Sequence, residues 1–126
     1  MIPIHDQLIQ WTSYELVETP QSYQKAISAL GQKAEHSGFE GITRYSFYVD
    51  EKTGLAGAII IYDSPQAFMD WHELALSFPE YETFKKTVKL KDLKFYGNLP
   101  FDLKKSLEDK NISFEYIGQF AGGFMR

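Results

Sequence analysis

Cysteine is absent from the 126-residue chain, which rules out thiol nucleophiles, thiolate metal sites and redox pairs and leaves the compartment open. Long apolar runs are missing as well: the longest, Leu55 to Tyr62, is far too short to cross a bilayer. Positive charge is in deficit, with 13 Lys and Arg against 17 Asp and Glu and a formal charge of −4. A phosphate-binding surface needs a net basic patch to gain from counterion release, so no nucleic-acid partner is expected. The one local exception is a run of lysines, Lys85, Lys86, Lys89, Lys91 and Lys94, which suits an edge strand protected against sheet-to-sheet association. Met1 to Asp6 has neither the basic region nor the apolar region of a secretory leader, and a cytoplasmic protein without membrane contact is the expectation.

Lacking disulfide staples, the chain must be held by its core. At this length roughly 65–70% of the unfolded surface is buried, and one domain over residues 1–126 is sufficient. Aromatic residues, by contrast, are plentiful: 10 Phe, 8 Tyr and 2 Trp. That is more flat surface than one small core uses, and it points to an aromatic pocket, a subunit interface, or both.

Periodicity orders the elements. Residues 8–17 alternate as a strand, with Trp11, Ser13 and Glu15 on one face and Thr12, Tyr14 and Leu16 on the other. Thr19-Pro20 is a helix start, followed by Tyr23, Ala26, Ile27, Leu30 and Ala34 at helical spacing and a stop at Ser37-Gly38. Residues 42–50 alternate again, turn at 51–54, and are answered by 55–62, whose near-continuous apolar run predicts a central strand buried on both faces. Asp63-Ser64-Pro65 repeats the start signal for a second amphipathic helix over Ala67, Phe68, Trp71, Leu74, Ala75 and Phe78, interrupted by Pro79. In residues 88–96 Val88 and Leu90 share a parity that Leu93 and Phe95 do not, which one β-bulge would reconcile. A short helix over 101–109 and a last strand over 112–120 complete the chain, the strand adding to its own sheet or, as we expect, reaching toward a partner.

The order β-α-β-β-α-β is that of a ferredoxin-like split βαβ fold: an α+β arrangement with a four-stranded antiparallel sheet and helices on one face. Here it carries a C-terminal α-β extension over 97–126 beyond a core of 8–96. An apolar sheet face left bare calls for a second copy, and a two-fold homodimer is expected. The segment Ala58-Ile59-Ile60-Ile61-Tyr62-Asp63-Ser64-Pro65-Gln66-Ala67-Phe68-Met69-Asp70-Trp71-His72, with the aromatic stretch from Phe78 to Phe84, resembles the dimeric α+β barrel superfamily in its antibiotic-biosynthesis-monooxygenase-like branch. The resemblance implies sheets packed back to back between two subunits and a ligand pocket between sheet and helices in each. It also implies cofactor-independent oxygenase chemistry on a small hydrophobic or aromatic molecule. The haem-degrading branch places an Asn on the first strand, and residues 8–17 contain none.

His72 is the candidate catalytic residue. It sits at the edge of the apolar stripe, one turn after Phe68, where the resemblance makes it a pocket histidine acting as general base or orienting a substrate oxygen. The competing account is a boundary histidine bonded to backbone or to Glu73. Arg44 alternates with Ile42, Ser46 and Tyr48; facing a pocket, its guanidinium would hold a carboxylate or enolate oxygen, and facing outward it would pair with a surface acid. Trp11, Tyr14, Tyr48, Tyr62, Phe68, Trp71 and Phe78 are candidate pocket walls, with core packing as the simpler account for most. No His pair has the i, i+4 spacing of a helical zinc motif, so no metal and no resident cofactor are expected. Phosphate-loop, dinucleotide and nucleophile-elbow signatures are absent. Three readings compete: a monooxygenase-like enzyme, a non-catalytic binder of a fatty-acid-like carboxylate held by Arg44, and a purely structural dimer.

Overall fold

The computed structural model describes residues 4–126; the first half of the leader reading, Met1 to Pro3, lies outside them. After a short 3₁₀ turn at Ile4–Asp6, the chain runs β1 (Leu8–Leu16), α1 (Pro20–His36), β2 (Ile42–Asp50), β3 (Leu55–Tyr62), α2 (Pro65–Ala75), α3 (Pro79–Lys85), β4 (Val88–Tyr96), α4 (Phe101–Asp109) and β5 (Glu115–Ile117).

Both main helix starts follow from their sequence. Thr19 Oγ1 accepts the Ser22 N–H at 3.0 Å and Ser64 Oγ accepts the Ala67 N–H at 3.1 Å, each with Pro at the next position, where its missing N–H is no loss. Ser64, rather than Asp63, is thus the cap of α2; Asp63 instead accepts a hydrogen bond from Thr43 Oγ1. Gly38 takes a φ of 80° just past α1, which a residue with a Cβ adopts only under strain. Pro79, which interrupts the apolar stripe of α2, opens the short helix α3.

The sheet has five strands in the order β2-β3-β1-β4-β5. The first four pair antiparallel, as the split βαβ order predicts, but β5 adds parallel to β4, so the sheet is mixed and not a four-stranded antiparallel one. β5 is also only three residues long, and it pairs within its own chain through Lys94–Tyr96 instead of reaching toward a partner. The rest of the expected 112–120 strand is taken by other contacts. The Ile112 N–H is donated back to the Leu107 carbonyl at 3.0 Å, and beyond Ile117 no regular pairing continues.

Register sets two unlike faces. The β4 pairing slips between Ser13 and Tyr14, leaving Lys91 as the extra residue of a bulge, and this brings Leu90, Leu93 and Phe95 onto the face of Tyr14, Thr12 and Gln10. That face also carries Leu8, Tyr45, Phe47, Ala58, Ile60 and Tyr62, is covered by the helices and forms the core with Tyr23, Leu30, Phe68, Trp71, Phe84, Leu103 and Leu107. The opposite face carries Ile9, Trp11, Arg44, Tyr48, Ile59, Ile61 and Tyr96 and has no covering layer among the described residues. β3, expected to be buried on both faces, is buried on the helix side and half-buried on the other. Gly57, on the open face opposite Ser13, lies so close to β1 that a Cβ there would stand 3.0 Å from the Thr12 carbonyl oxygen. No helix among the described residues is long and apolar enough to cross a membrane.

Candidate functional site

Between the sheet and the helices lies a cavity of about 780 Å³, within the usual size range of small-molecule sites. Its floor comes from the strands: Gln10, Thr12 and Tyr14 of β1, Tyr45 and Phe47 of β2, Ile60 and Tyr62 of β3 and Leu93 of β4. Its roof comes from Phe68, Trp71 and His72 of α2 and from Tyr81 and Phe84 of α3, and α4 closes a side with Leu103 and Leu107. The walls are interlocked edge to face: Tyr45 against Trp71 with ring centroids 5.7 Å apart, Phe47 against Phe84 at 5.5 Å, and Tyr62 against Phe68 at 5.1 Å. Such contacts hold aromatic walls rigid around the space.

The floor carries a polar line. Tyr62 Oη donates to Gln10 Oε1 at 3.2 Å, and Gln10 Nε2 donates to Thr12 Oγ1 at 2.7 Å, all three residues being buried. Two buried polar residues in a strand are costly unless partnered, and here each partners the next. The surrounding phenols are held protonated: burial pushes the pKa of Tyr14, Tyr45, Tyr62 and Tyr81 upward, with the neighbouring tyrosines adding to the effect for the first three. They therefore act as hydrogen-bond donors and not as bases.

His72 is the basic group of the chamber. Its Nδ1 lies 2.8 Å from the Phe68 carbonyl oxygen, and a carbonyl only accepts, so Nδ1 bears the proton and the lone pair of the neutral ring is on Nε2. Nε2 has no protein partner among the described residues. Burial lowers the ring's pKa below the ordinary histidine value; the Phe68 carbonyl pulls the other way, and the charge of Lys110 adds a smaller downward push. The ring packs at a tilt on Phe68, with centroids 4.2 Å apart. His72 is bonded to backbone, as the boundary account has it, and lines the cavity, as the pocket account has it.

Of the predicted wall residues, Tyr14, Tyr62, Phe68 and Trp71 line this cavity together with His72. Phe78 is buried but stands behind the wall, edge-on to Trp71 at 6.1 Å. Trp11, Tyr48 and Arg44 do not reach the cavity at all; they lie on the open face of the sheet, with Trp11 53% and Tyr48 54% exposed. Arg44 was grouped with Ile42 by simple alternation, but the β2 register slips between these two residues. Ile42 pairs with Tyr62 on the helix side while Arg44 pairs with Ile61 on the open side. There its guanidinium donates to Ser46 Oγ at 3.0 Å and to Tyr48 Oη at 2.7 Å, not to a surface acid.

Sequence reasoning missed Gln10, Thr12, Tyr45, Tyr81 and the α4 wall. Gln10 and Thr12 could have been found, since they share the parity of Leu8 and Tyr14. Nothing in the periodicity of α4 says what that helix covers. Among the described residues no three His, Asp or Glu side chains converge to hold a metal ion. The two other histidines, His5 and His36, are exposed.

No family model matches the chain, and no curated relative matches its sequence. Solved structures do match. MupZ from Pseudomonas fluorescens superposes with a TM-score of 0.64 at 15% identity, covering 95% of this chain and 94% of its own. SnoaB, a cofactor-independent oxygenase from Streptomyces nogalater, matches with a TM-score of 0.54 at 12% identity over 71% of this chain and 90% of its own. A candidate antibiotic biosynthesis monooxygenase from Caulobacter crescentus CB15 gives 0.55 at 13% identity over 72% and 88%. At these identities the likeness is one of fold: the chain shares the α+β fold of these three structures. The match to MupZ takes in nearly the whole chain, whereas the other two cover a share the size of the β1–β4 core.

Proposed function

We propose that this protein binds a small hydrophobic, aromatic molecule in the cavity beneath its helices and acts on it as a cofactor-independent, monooxygenase-like enzyme. The observation that carries this reading is His72, whose Nδ1 is committed to the Phe68 carbonyl and whose Nε2 lone pair is left for a ligand in an aromatic chamber. A ring kept neutral by burial is ready to accept a proton near pH 7, and protonated phenols facing the same space donate to the oxygen on which charge develops. The substrate class is a hydroxylated aromatic whose proton His72 removes, so that the resulting anion meets dioxygen away from water. Oxidation of a ring CH₂ to a carbonyl balances with one O₂: one oxygen atom enters the carbonyl and the other leaves as water with the two substrate hydrogens. SnoaB, a fold neighbour, is described as a cofactor-independent oxygenase, which supports the class of reaction but not the substrate.

The working unit is a two-fold homodimer of one-domain subunits in the cytoplasm, joined through the open sheet face. That face carries Trp11, Tyr48, Ile59 and Tyr96 with no covering layer of its own, and a second copy is the natural cover for an apolar surface of this kind. Carboxylate binding by Arg44 loses its support, because Arg44 lies on that face and not at the cavity.

The test is oxygen consumption with a panel of hydroxylated aromatics. We expect turnover with at least one of them and a fall of about 10²-fold or more in His72→Ala. No consumption with any member, alongside binding of the same compounds, would leave a non-catalytic binder.

A further inference from the structure

The charges at the cavity are few and unequal. Three lining residues are charged at neutral pH: Glu73, Lys85 and Lys110. Lys85 is engaged, with Nζ 2.8 Å from Glu82 Oε1 and 4.8 Å from the centroid of the Tyr81 ring. Glu73 follows His72 on α2 and is exposed. Lys110 has no acid within ion-pair distance among the described residues.

The position of Lys110 is fixed by the way α4 ends. Its backbone N–H donates to the Ser106 carbonyl at 3.3 Å, Asn111 then takes a left-handed φ of 58°, and the Ile112 N–H returns to the Leu107 carbonyl at 3.0 Å. The reversal brings Ile112 back into the cavity wall and leaves Lys110, also on that wall, at the exposed rim. The interior behind it offers only neutral groups, the buried amide of Gln10, the hydroxyl of Thr12 and the phenols, besides His72. A carboxylate taken deep inside would be stripped of water with no cation to meet it, which is costly. At the rim it keeps part of its hydration and meets a free ammonium.

We propose that Lys110 is the anion-holding residue of this cavity and that the aromatic ligand also carries a carboxylate, its flat body in the aromatic chamber and its carboxylate on Lys110 Nζ. The inference rests on the cavity being a ligand site, as proposed above, and is independent of turnover. It gives the role that Arg44 cannot fill to a residue of the C-terminal extension.

Calorimetric titration with two probes of the same shape tests it: 2-naphthoate, which is charged, and 2-naphthamide, which is not. At pH 7.5 and low salt the native protein should bind naphthoate about tenfold more tightly than the amide, as a charge-assisted hydrogen bond provides. Lys110→Met should abolish that preference while still binding the amide, and Lys110→Arg should keep it. Circular dichroism of both variants confirms the fold. Equal affinity for the two probes in the native protein, or a preference that survives in Lys110→Met, overturns the assignment to Lys110 and leaves the cavity reading standing. Binding of neither probe to the native protein removes both.

Discussion

The two faces of the sheet are built from the same strands and have opposite fates. On β1 alone, Leu8, Gln10, Thr12 and Tyr14 point under the helices while Ile9, Trp11, Ser13 and Glu15 point away. Both faces are aromatic, so composition does not distinguish them; what does is the partner each is given. The helix face is sealed against its own chain, and its polar atoms are consequently paired one to the next. The open face keeps Arg44, Ser46 and Tyr48 bonded among themselves. A tryptophan therefore means core on one side and exposed surface on the other.

The largest effect should come from Trp71, which is 1% exposed and touches Phe39, Tyr45 and Phe78. Trp71→Ala is expected to cost about 3–5 kcal/mol in urea denaturation. Trp11→Glu, on the other side of the same sheet, should leave far-UV circular dichroism unchanged while sedimentation shifts from a dimer to a species near 14.5 kDa. A native protein that already sediments near that mass would end the dimer reading. Tyr62→Phe removes one donor from the buried line and leaves Gln10 Oε1 without it, for an expected loss of about 1–3 kcal/mol.

Acid should produce the smallest change. A ring whose native pKa lies below its unfolded value takes up a proton on unfolding, so the contribution of His72 is complete above pH 6.5 and declines as pH falls through that ordinary value. It levels off once the native ring is itself protonated. Urea midpoints at pH 7.5 and pH 5 should differ less in His72→Asn than in the native protein. At the alkaline end, burial pushes Tyr23 up to about 12 and holds Tyr14, Tyr45 and Tyr62 protonated also. Their phenolate absorbance should therefore appear together with unfolding above pH 10, because ionisation is easier in the open chain.

Much of the frame was legible because local chemistry specifies it. Thr19-Pro20 and Ser64-Pro65 mark helix starts by hydrogen-bonding need, and the parity clash between Leu90 and Leu93 announced the bulge at Lys91. The errors arose where one residue changed the count or a distant element decided the outcome. The slip at Thr43 turned Arg44 away from Ile42, which alternation alone does not reveal. β5 was read too long because alternating side chains say nothing of whether a neighbouring edge is free to accept them. Within the site, His72 was singled out because it sits at the edge of the apolar stripe of α2. Lys110 was not, since a lysine at the end of a short amphipathic helix looks the same over a pocket as over solvent.

The position of α4 and β5 in chain order separates the antiparallel frame from one side of the cavity. Every strand of the antiparallel frame is complete by Tyr96, and the part of the cavity wall formed by α4, Lys110 and Ile112 comes after it. The frame and that wall are thus successive lengths of sequence, joined through Leu103 and Leu107, which are buried in the same core as the sheet. In this chain one side of the cavity is written as a suffix to the frame.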